Sequence, residues 1–152
     1  MAITKIIADS ITSGAVANTP AFRATIGSTQ VIAHNTQTKA QFNTEDFDTD
    51  SCYDTGTYRF TPNVAGKYFF GLAVRFDTAT DIDITSTIFY KNGSGIYIGE
   101  FSNIRYNNWF NGTIITMNGS SDYVEAFVYQ GSGVSVDLRT DSNQFFAYKI
   151  IE

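Results

Sequence analysis

The sequence predicts one domain built from antiparallel β-strands, and three observations support this. Its 152 residues match the commonest size of a single domain. Hydrophobic residues make up 43% of the chain and charged residues only 16%, and the 13 Phe and 9 Tyr favour strands. Short runs that alternate apolar and polar residues recur about every eight to twelve positions, with turn residues between them. No run has helical periodicity.

Ten runs of residues have the length and alternation of strands. The clearest is 67–76, in which Tyr68, Phe70 and Leu72 lie on a wholly apolar face that belongs in the core. Nine or ten strands are typical of an antiparallel two-sheet jelly-roll sandwich, and they exceed the seven of an immunoglobulin-like sandwich. The runs are 21–26, 30–33, 39–42, 57–61, 67–76, 82–91, 96–101, 109–117, 123–129 and 145–151.

Gly-containing segments separate these runs. Asn92-Gly93, Asn111-Gly112 and Asn118-Gly119 are predicted as hairpin turns, because Asn and Gly accept the positive φ angles of tight turns. Each Asn also begins an N-x-S/T sequon, but glycosylation is not expected without a secretory route.

Charge and targeting signals exclude several classes of protein. The net charge is −5 and the ten Lys and Arg residues are scattered, so nucleic acid is not an expected ligand. The sequence lacks an 18-residue apolar stretch and a signal peptide, so no membrane insertion is expected. Cys52 is the only cysteine and cannot form an intrachain disulfide, which is typical of a reducing compartment. We therefore expect a protein made in a cytoplasm.

Residues 1–20 differ in composition from the rest of the chain. They are rich in Ala, Ile, Ser and Thr, hold no aromatic residue, and end at Thr19-Pro20. We predict an N-terminal arm that docks or links the domain, followed by the folded domain at 21–152. A frayed terminus is the alternative.

Eight residues between positions 42 and 72 form a pattern with defined spacings. They are Phe42, Asp48, Tyr53, Phe60, Gly66, Tyr68, Phe70 and Leu72. This spacing resembles the C1q-domain signature, except that Leu72 stands where that family has an aromatic ring. Segments 119–125 and 145–150 resemble two later strands of the same family. The resemblance covers about 21–151 and implies a C1q/tumour-necrosis-factor jelly roll, with the eight residues as scaffold. The sequence holds no collagen-like Gly-x-y repeat, so the stalked, secreted arrangement of familiar members is not expected.

The resemblance also implies a homotrimer whose contacts involve the first and last strands. In the last strand Phe145, Ala147 and Lys149 share one face, while Phe146 and Tyr148 share the other. Because Lys is seldom buried in a core, we predict that Phe145, Ala147 and Lys149 face the neighbouring subunits. An edge strand with one exposed ring is the alternative.

The residues that usually perform catalysis are few. His34 is the only histidine, and no Ser-His-Asp, His-Glu-x-x-His or Cys-x-x-Cys arrangement occurs. Cys52 lies between Asp50 and Asp54, whose charges would raise the pKa of its thiol. We predict a buried structural thiol and a protein that is not an enzyme.

The candidate metal ligands are the carboxylates of two acidic segments. Asp46, Asp48 and Asp50 are weak calcium candidates in an acidic block, and some members of the resembled family bind calcium. The block does not match an EF-hand loop. A second, weaker group consists of Asp77, Asp81 and Asp83. Solvated loop charge is the preferred interpretation of both groups, and no cofactor is predicted.

A C1q-like domain without a secretion signal is most similar to small structural proteins of tailed bacteriophages. The leading hypothesis is a trimeric virion protein that decorates a capsid or forms the tip of a tail appendage. Residues 1–20 would bind other virion proteins.

Two other hypotheses remain open. One is recognition of a host receptor or glycan through Tyr106, Asn107, Asn108 and Trp109, since aromatic rings beside amides suit sugars. For Trp109, packing on the core is the preferred interpretation. The other is a secreted or cell-surface recognition protein, which would need an export route.

Overall fold

The computed structural model describes residues 18–77, 81–104 and 108–150. Fourteen strands and no helix occur in these residues. The strands are β1 Ala21–Thr25, β2 Gln30–Ile32, β3 Thr38–Lys39, β4 Thr44–Asp48, β5 Tyr53–Asp54, β6 Arg59–Phe60, β7 Gly66–Val74, β8 Phe76–Asp77, β9 Ile82–Lys91, β10 Ser94–Ile104, β11 Trp109–Met117, β12 Val124–Gln130, β13 Val136–Leu138 and β14 Gln144–Lys149.

The strands form two main antiparallel sheets that enclose one core. The five-stranded sheet has the order β11-β7-β14-β1-β4. The six-stranded sheet has the order β10-β9-β12-β6-β5, with β3 also paired to β12. A small third sheet has the order β2-β13-β8. The predicted all-β sandwich with antiparallel sheets is confirmed.

Long strands follow the predicted bounds more closely than short ones. Ile82–Lys91 and Trp109–Met117 match the prediction at both ends. The strand Thr44–Asp48 was not predicted, because four of its five residues are exposed and it shows no apolar alternation. It pairs with β1 alone, at an edge of its sheet, where backbone hydrogen bonds rather than burial hold it.

Aromatic rings from both sheets fill the core. Phe145 of β14 is fully buried, and its ring centroid lies 5.0 Å from that of Phe22, 5.8 Å from Phe42 and 6.3 Å from Phe89. Contacts of this kind join the sheets and add to the free energy that ring burial contributes. Six of the eight spaced residues lie in this core: Phe42, Tyr53, Phe60, Tyr68, Phe70 and Leu72.

The orientation predicted for the last strand is wrong. Phe145 and Ala147 are 0% and 1% exposed and face the core, whereas Tyr148 faces outward. Lys149 lies on the same face of β14 as Phe145, but it is the last residue of the strand. Its side chain runs along the rim of the sandwich, with Cε 2.8 Å from where a Cβ of Gly66 would lie. A lysine at a strand end therefore says little about which face is buried.

The Asn-Gly dipeptides form two turns and one strand segment. Asn92-Gly93 turns between β9 and β10 with φ angles of 52° and 81°. Gly119 has a φ of 72°, and a Cβ there would lie 2.1 Å from the backbone nitrogen of Ala65, so only glycine fits. The turn predicted at Asn111-Gly112 is wrong, because both residues pair with β7 inside β11. Buried Asn111 donates a hydrogen bond across the core to the Thr87 carbonyl oxygen at 3.1 Å.

Buried hydroxyl groups anchor the segments around the core. The Tyr53 hydroxyl donates to the Phe42 carbonyl oxygen at 2.8 Å, and the Tyr68 hydroxyl donates to the Val64 carbonyl oxygen at 2.7 Å. Burial raises the pKa of Tyr68 to about 12, with charges at Cys52 and Asp50 adding to the effect.

Candidate functional site

The outer face of the five-stranded sheet carries an unusual number of apolar side chains. All five strands contribute to it, and no other described element lies over it. Phe110 and Ile114 are 55% and 57% exposed, Phe47 is 46% exposed and Tyr148 is 37% exposed. We call this surface the aromatic face. Its apolar members are Phe47, Phe69, Phe110, Ile114, Phe146 and Tyr148.

Two glycines let these rings lie close to the sheet. Gly71 of β7 pairs with Gly112 of β11, so a patch without side chains spans two strands. The Cζ atom of Phe146 lies 2.2 Å from where a Cβ of Gly71 would be. The Cζ atom of Phe69 lies 2.9 Å from the corresponding position at Gly112. The rings therefore fill space that any larger residue would occupy.

The rings form one continuous surface. The centroid of Phe69 lies 6.3 Å from that of Phe146 and 5.5 Å from that of Tyr148. The rings of Phe110 and Phe146 are stacked, with centroids 6.2 Å apart. A continuous exposed apolar surface of this kind is typical of a protein interface.

A small pocket lies at the β4 side of the aromatic face. Phe47 and Phe146 form its walls, and Arg23 and Gln144 supply the polar groups. Its volume is about 310 Å³. Arg23 pairs with Asp46, with Nε and Oδ2 2.5 Å apart. The pocket therefore combines apolar walls with polar side chains.

A second apolar surface lies on the six-stranded sheet. Strand β10 is at the edge of that sheet and pairs only with β9. Its residues Ile96, Tyr97 and Ile98 are each between 44% and 56% exposed. A long edge strand with exposed apolar residues is available for contact with another chain.

The candidate recognition loop divides between described and undescribed residues. Tyr106 and Asn107 lie outside the described residues, and Asn108 is exposed. Trp109 is only 7% exposed, and its ring centroid lies 6.0 Å from those of Phe76 and Phe101. Its packing on the core leaves Trp109 unable to offer a stacking surface to a ligand.

The calcium candidates are engaged in separate contacts. Asp46 pairs with Arg23, and Asp48 accepts the Tyr53 amide hydrogen at 2.7 Å. Asp50 accepts a hydrogen bond from the Thr49 hydroxyl at 2.8 Å. In residues 18–77, 81–104 and 108–150, no three His, Cys, Asp or Glu side chains are grouped as metal ligands. The acidic block therefore does not fit a calcium ion in this arrangement.

Acidic residues elsewhere also have structural partners. Asp77 of the second acidic group pairs with Arg139 at 3.3 Å. Hydrogen bonds from the Thr57 hydroxyl and the Gly56 amide lower the pKa of Asp54, which holds a tight turn together.

Cys52 and His34 have structural roles. Burial raises the pKa of the Cys52 thiol, and the charges of Asp48 and Asp50 raise it further. A raised pKa of this thiol was predicted from the sequence, but with Asp54 as a cause where the structure has Asp48. The Nδ1 atom of His34 accepts a hydrogen bond from the Gly133 amide at 2.9 Å and so ties two loops together. A thiol with a raised pKa is a poor nucleophile.

The sequence did not predict the aromatic face. Phe69, Phe110 and Phe146 each sit beside a core aromatic residue in the sequence, so their strands show two apolar faces. The available signal was the presence of Gly71 and Gly112 inside strand-like runs, because glycine inside a strand indicates a close approach of other atoms. No described helix has the length and apolar character needed to cross a membrane.

No protein-family model matches the sequence. No curated protein sequence matches it either. The similarities that do appear are to solved structures.

Murine APRIL superposes with a TM-score of 0.64 at 9% identity, over 86% of this chain and 98% of the other. Eiger TNF from S. frugiperda gives 0.64 at 10% identity, over 87% and 91%. The globular domain of zebrafish complement 1qA protein gives 0.59 at 16% identity, over 88% and 98%. These similarities confirm the predicted C1q/tumour-necrosis-factor type of jelly roll, and at such low identity they show the fold alone.

Proposed function

We propose that this protein is a non-enzymatic assembly module that forms a homotrimer through its aromatic face. The observation that carries the proposal is the continuous layer of rings across β11, β7 and β14 on the outer face of one sheet, with exposed Phe47 on the edge strand β4. Water contact with this layer is unfavourable, and burial against a second copy removes it. Strands β1 and β14, the first and last strands, lie within this sheet, as the family resemblance implies for the trimer contact.

The contact is made by the face of β14 opposite to the one predicted from sequence. Phe146 and Tyr148 lie on the aromatic face, while Phe145 and Ala147 lie in the core. Phe145 is therefore unavailable to a neighbour, and Phe146 takes its place in the proposal.

Two unlike apolar surfaces favour a ring over a two-fold dimer. A two-fold contact buries the same patch on both copies, whereas a contact between different patches generates a ring or a filament. Here the aromatic face belongs to one sheet, and the exposed Ile96 and Tyr97 belong to the edge strand of the other. We infer that Ile96 and Tyr97 of one copy pack on the aromatic face of the next, and the family resemblance supports three copies.

Light scattering coupled to size-exclusion chromatography tests the trimer. The expected mass is three times 16.8 kDa, and a single species of 16.8 kDa overturns the proposal. Phe110→Glu places a charge on the aromatic face at a side chain that does not support the core. It is expected to yield monomer. Val31→Glu, on β2 of the third sheet, is the matched control and is expected to remain trimeric.

We further propose that the trimer belongs to a bacteriophage virion, as a capsid decoration or an appendage tip docked by residues 1–20. This placement rests on the expectation from sequence, in which a C1q-like domain follows a short segment rich in Ala, Ile, Ser and Thr. Mass spectrometry of purified virions is the test, with the chain expected at a constant ratio to the major capsid protein. Its absence from purified particles overturns this placement and leaves the trimer untouched.

The docking arm has its own test. A chain that lacks residues 1–17 retains every described residue, since these begin at Asn18, so it is expected to remain trimeric. We expect it to lose attachment to particles. Attachment that survives this truncation overturns the role of the arm.

A further inference from the structure

The outer face of the six-stranded sheet contains a groove of about 260 Å³. The rows of paired residues explain its shape. Tyr129 of β12 pairs with Ser86 of β9, which pairs with Glu100 of β10. A small residue therefore lies between two larger ones, and the surface is lowered at Ser86. Ile88, the next outward residue on β9, extends this floor and is 1% exposed.

Each wall of the groove combines an apolar and a polar group. Ile98 and Glu100 of the edge strand form one wall, and Tyr129 with Gln37 forms the other. The second wall is held in place by neighbours. The Tyr129 hydroxyl donates to Asn35 Oδ1 at 2.8 Å, and Gln37 Oε1 accepts a hydrogen bond from the Tyr90 hydroxyl.

Polar atoms of the groove remain free to bind a ligand. Ser86 is 6% exposed, and its hydroxyl is bonded to no described residue. Glu100 forms no ion pair within the described part of the chain. The Gln37 side-chain NH₂ group and the lone pairs of the Tyr129 oxygen are also available. The groove thus presents both donors and acceptors above an apolar floor.

The lining chemistry selects among ligands. Among the described residues no Lys or Arg lines the groove, so phosphate, sulfate and acidic sugars meet no counter-charge from them. A lysine side chain would pair with Glu100 and leave Gln37 and Ser86 without partners. A neutral sugar ring uses all of these groups, because its C–H face packs on Ile and Tyr while its hydroxyls reach the carboxylate, amide and serine.

We propose that this groove binds one neutral saccharide ring, with Glu100 and Gln37 contacting its hydroxyl groups over a floor of Ser86 and Ile88. The groove and the aromatic face lie on the outer surfaces of different sheets, so burial of the aromatic face leaves the groove open. The inference goes beyond the assembly role and does not depend on it.

The test is a titration of the ¹⁵N-labelled full chain with methyl glycosides of glucose, galactose, mannose and N-acetylglucosamine, followed by amide chemical shifts. Saturable shifts are expected at residues 86, 100 and 129 for at least one glycoside. Ser86→Ile fills the groove and is expected to abolish them. Glu100→Gln is expected to weaken binding about tenfold, because a hydrogen bond to a charged group is replaced by a neutral one.

Glu45→Gln, on the exposed edge strand β4, is the matched control and is expected to bind like the parent. The absence of saturable shifts with every glycoside overturns the proposal. So does binding that Ser86→Ile and Glu100→Gln leave unchanged, or shifts produced by lysine methyl ester and by none of the glycosides.

The variants also separate this proposal from the assembly role. Ser86→Ile and Glu100→Gln are expected to retain the trimeric mass, whereas Phe110→Glu is expected to lose it and still bind the glycoside. Loss of either property alone therefore identifies which proposal fails.

Discussion

The ring of Phe146 lies against the backbone of Gly71, with Cζ 2.2 Å from where a Cβ of residue 71 would be. Gly71 pairs with Gly112 on the neighbouring strand, and Phe110 stacks on Phe146 from that side. The aromatic face is therefore built on a strip of bare backbone. Its shape depends on two positions that carry no side chain.

Gly71→Ala is expected to disrupt the trimer while leaving the fold intact. The new methyl group displaces the Phe146 ring, and the ring can move outward because nothing in the described structure covers it. We expect monomer or a concentration-dependent mixture by light scattering, with the circular dichroism spectrum of the parent.

A double variant provides the control for this prediction. In Gly71→Ala/Phe146→Ala the ring that clashes is absent, so the two changes are expected to be strongly non-additive in the free energy of association. Additive effects would show that Gly71 does not act through Phe146.

Neighbouring residues of β14 are expected to differ in their effects on stability. Phe145→Ala removes a ring from the centre of the core and is expected to lower the free energy of unfolding by about 3–5 kcal/mol. Phe146→Ala is expected to have a much smaller effect in a monomeric Phe110→Glu background. Urea unfolding at one protein concentration measures both, because the stability of an oligomer depends on concentration. Equal losses would contradict the observed orientation of the strand.

The fold could be predicted because its core residues alternate along long strands. Ile82–Lys91 and Trp109–Met117 were predicted at both ends, and Phe42, Phe60 and Phe70 recur at spacings set by the connections between strands. A regular period of two reports burial directly.

The orientation of β14 could not be predicted in the same way. Both faces of that strand are apolar, since Phe145 stands with Ala147 and Phe146 with Tyr148. Only the neighbours β1 and β7 decide which face meets the other sheet. The groove was also not predictable, because its walls come from β10, β12 and the loop at Gln37, which are distant in sequence.

Glu125 is expected to contribute to stability from an almost buried position. Its Oε1 atom accepts from Lys39 Nζ at 2.7 Å and from Arg59 Nη2 at 2.9 Å. Arg59 also lies 3.6 Å above the ring of Tyr123. The three charged groups join β3 and β6 to β12.

Glu125→Gln is expected to lower the free energy of unfolding by about 2 kcal/mol, because two cations lose their shared partner but still reach solvent. Urea unfolding measures the change. Glu45→Gln on the exposed edge strand is the control and is expected to lie within about 0.5 kcal/mol of the parent. Equal effects of the two variants would argue against a stabilising role for the ion pairs of Glu125 with Lys39 and Arg59.

Asp122 is expected to make stability depend on pH in the acid range. Its carboxylate accepts hydrogen bonds from Lys91 Nζ, Asn92 Nδ2 and the Asn118 amide, which join the turn before β12 to the β9–β10 hairpin. These hydrogen bonds lower the pKa of Asp122 in the folded state, and the bond from Lys91 has the largest effect. An unfolded aspartate has a pKa of about 3.9. The stabilisation is therefore complete above that value and is lost as the pH falls through the lower folded-state pKa.

Asp122→Asn removes this titration together with the ion pair to Lys91. We expect it to be less stable than the parent at neutral pH and to lose less stability between about pH 5 and pH 2, where a carboxylate of lowered pKa takes up its proton. Urea unfolding across this range measures both effects. Asp83→Asn, at an exposed position of β9, is expected to follow the parent curve. If Asp122→Asn also followed the parent curve, the carboxylate would not couple the turn to the hairpin.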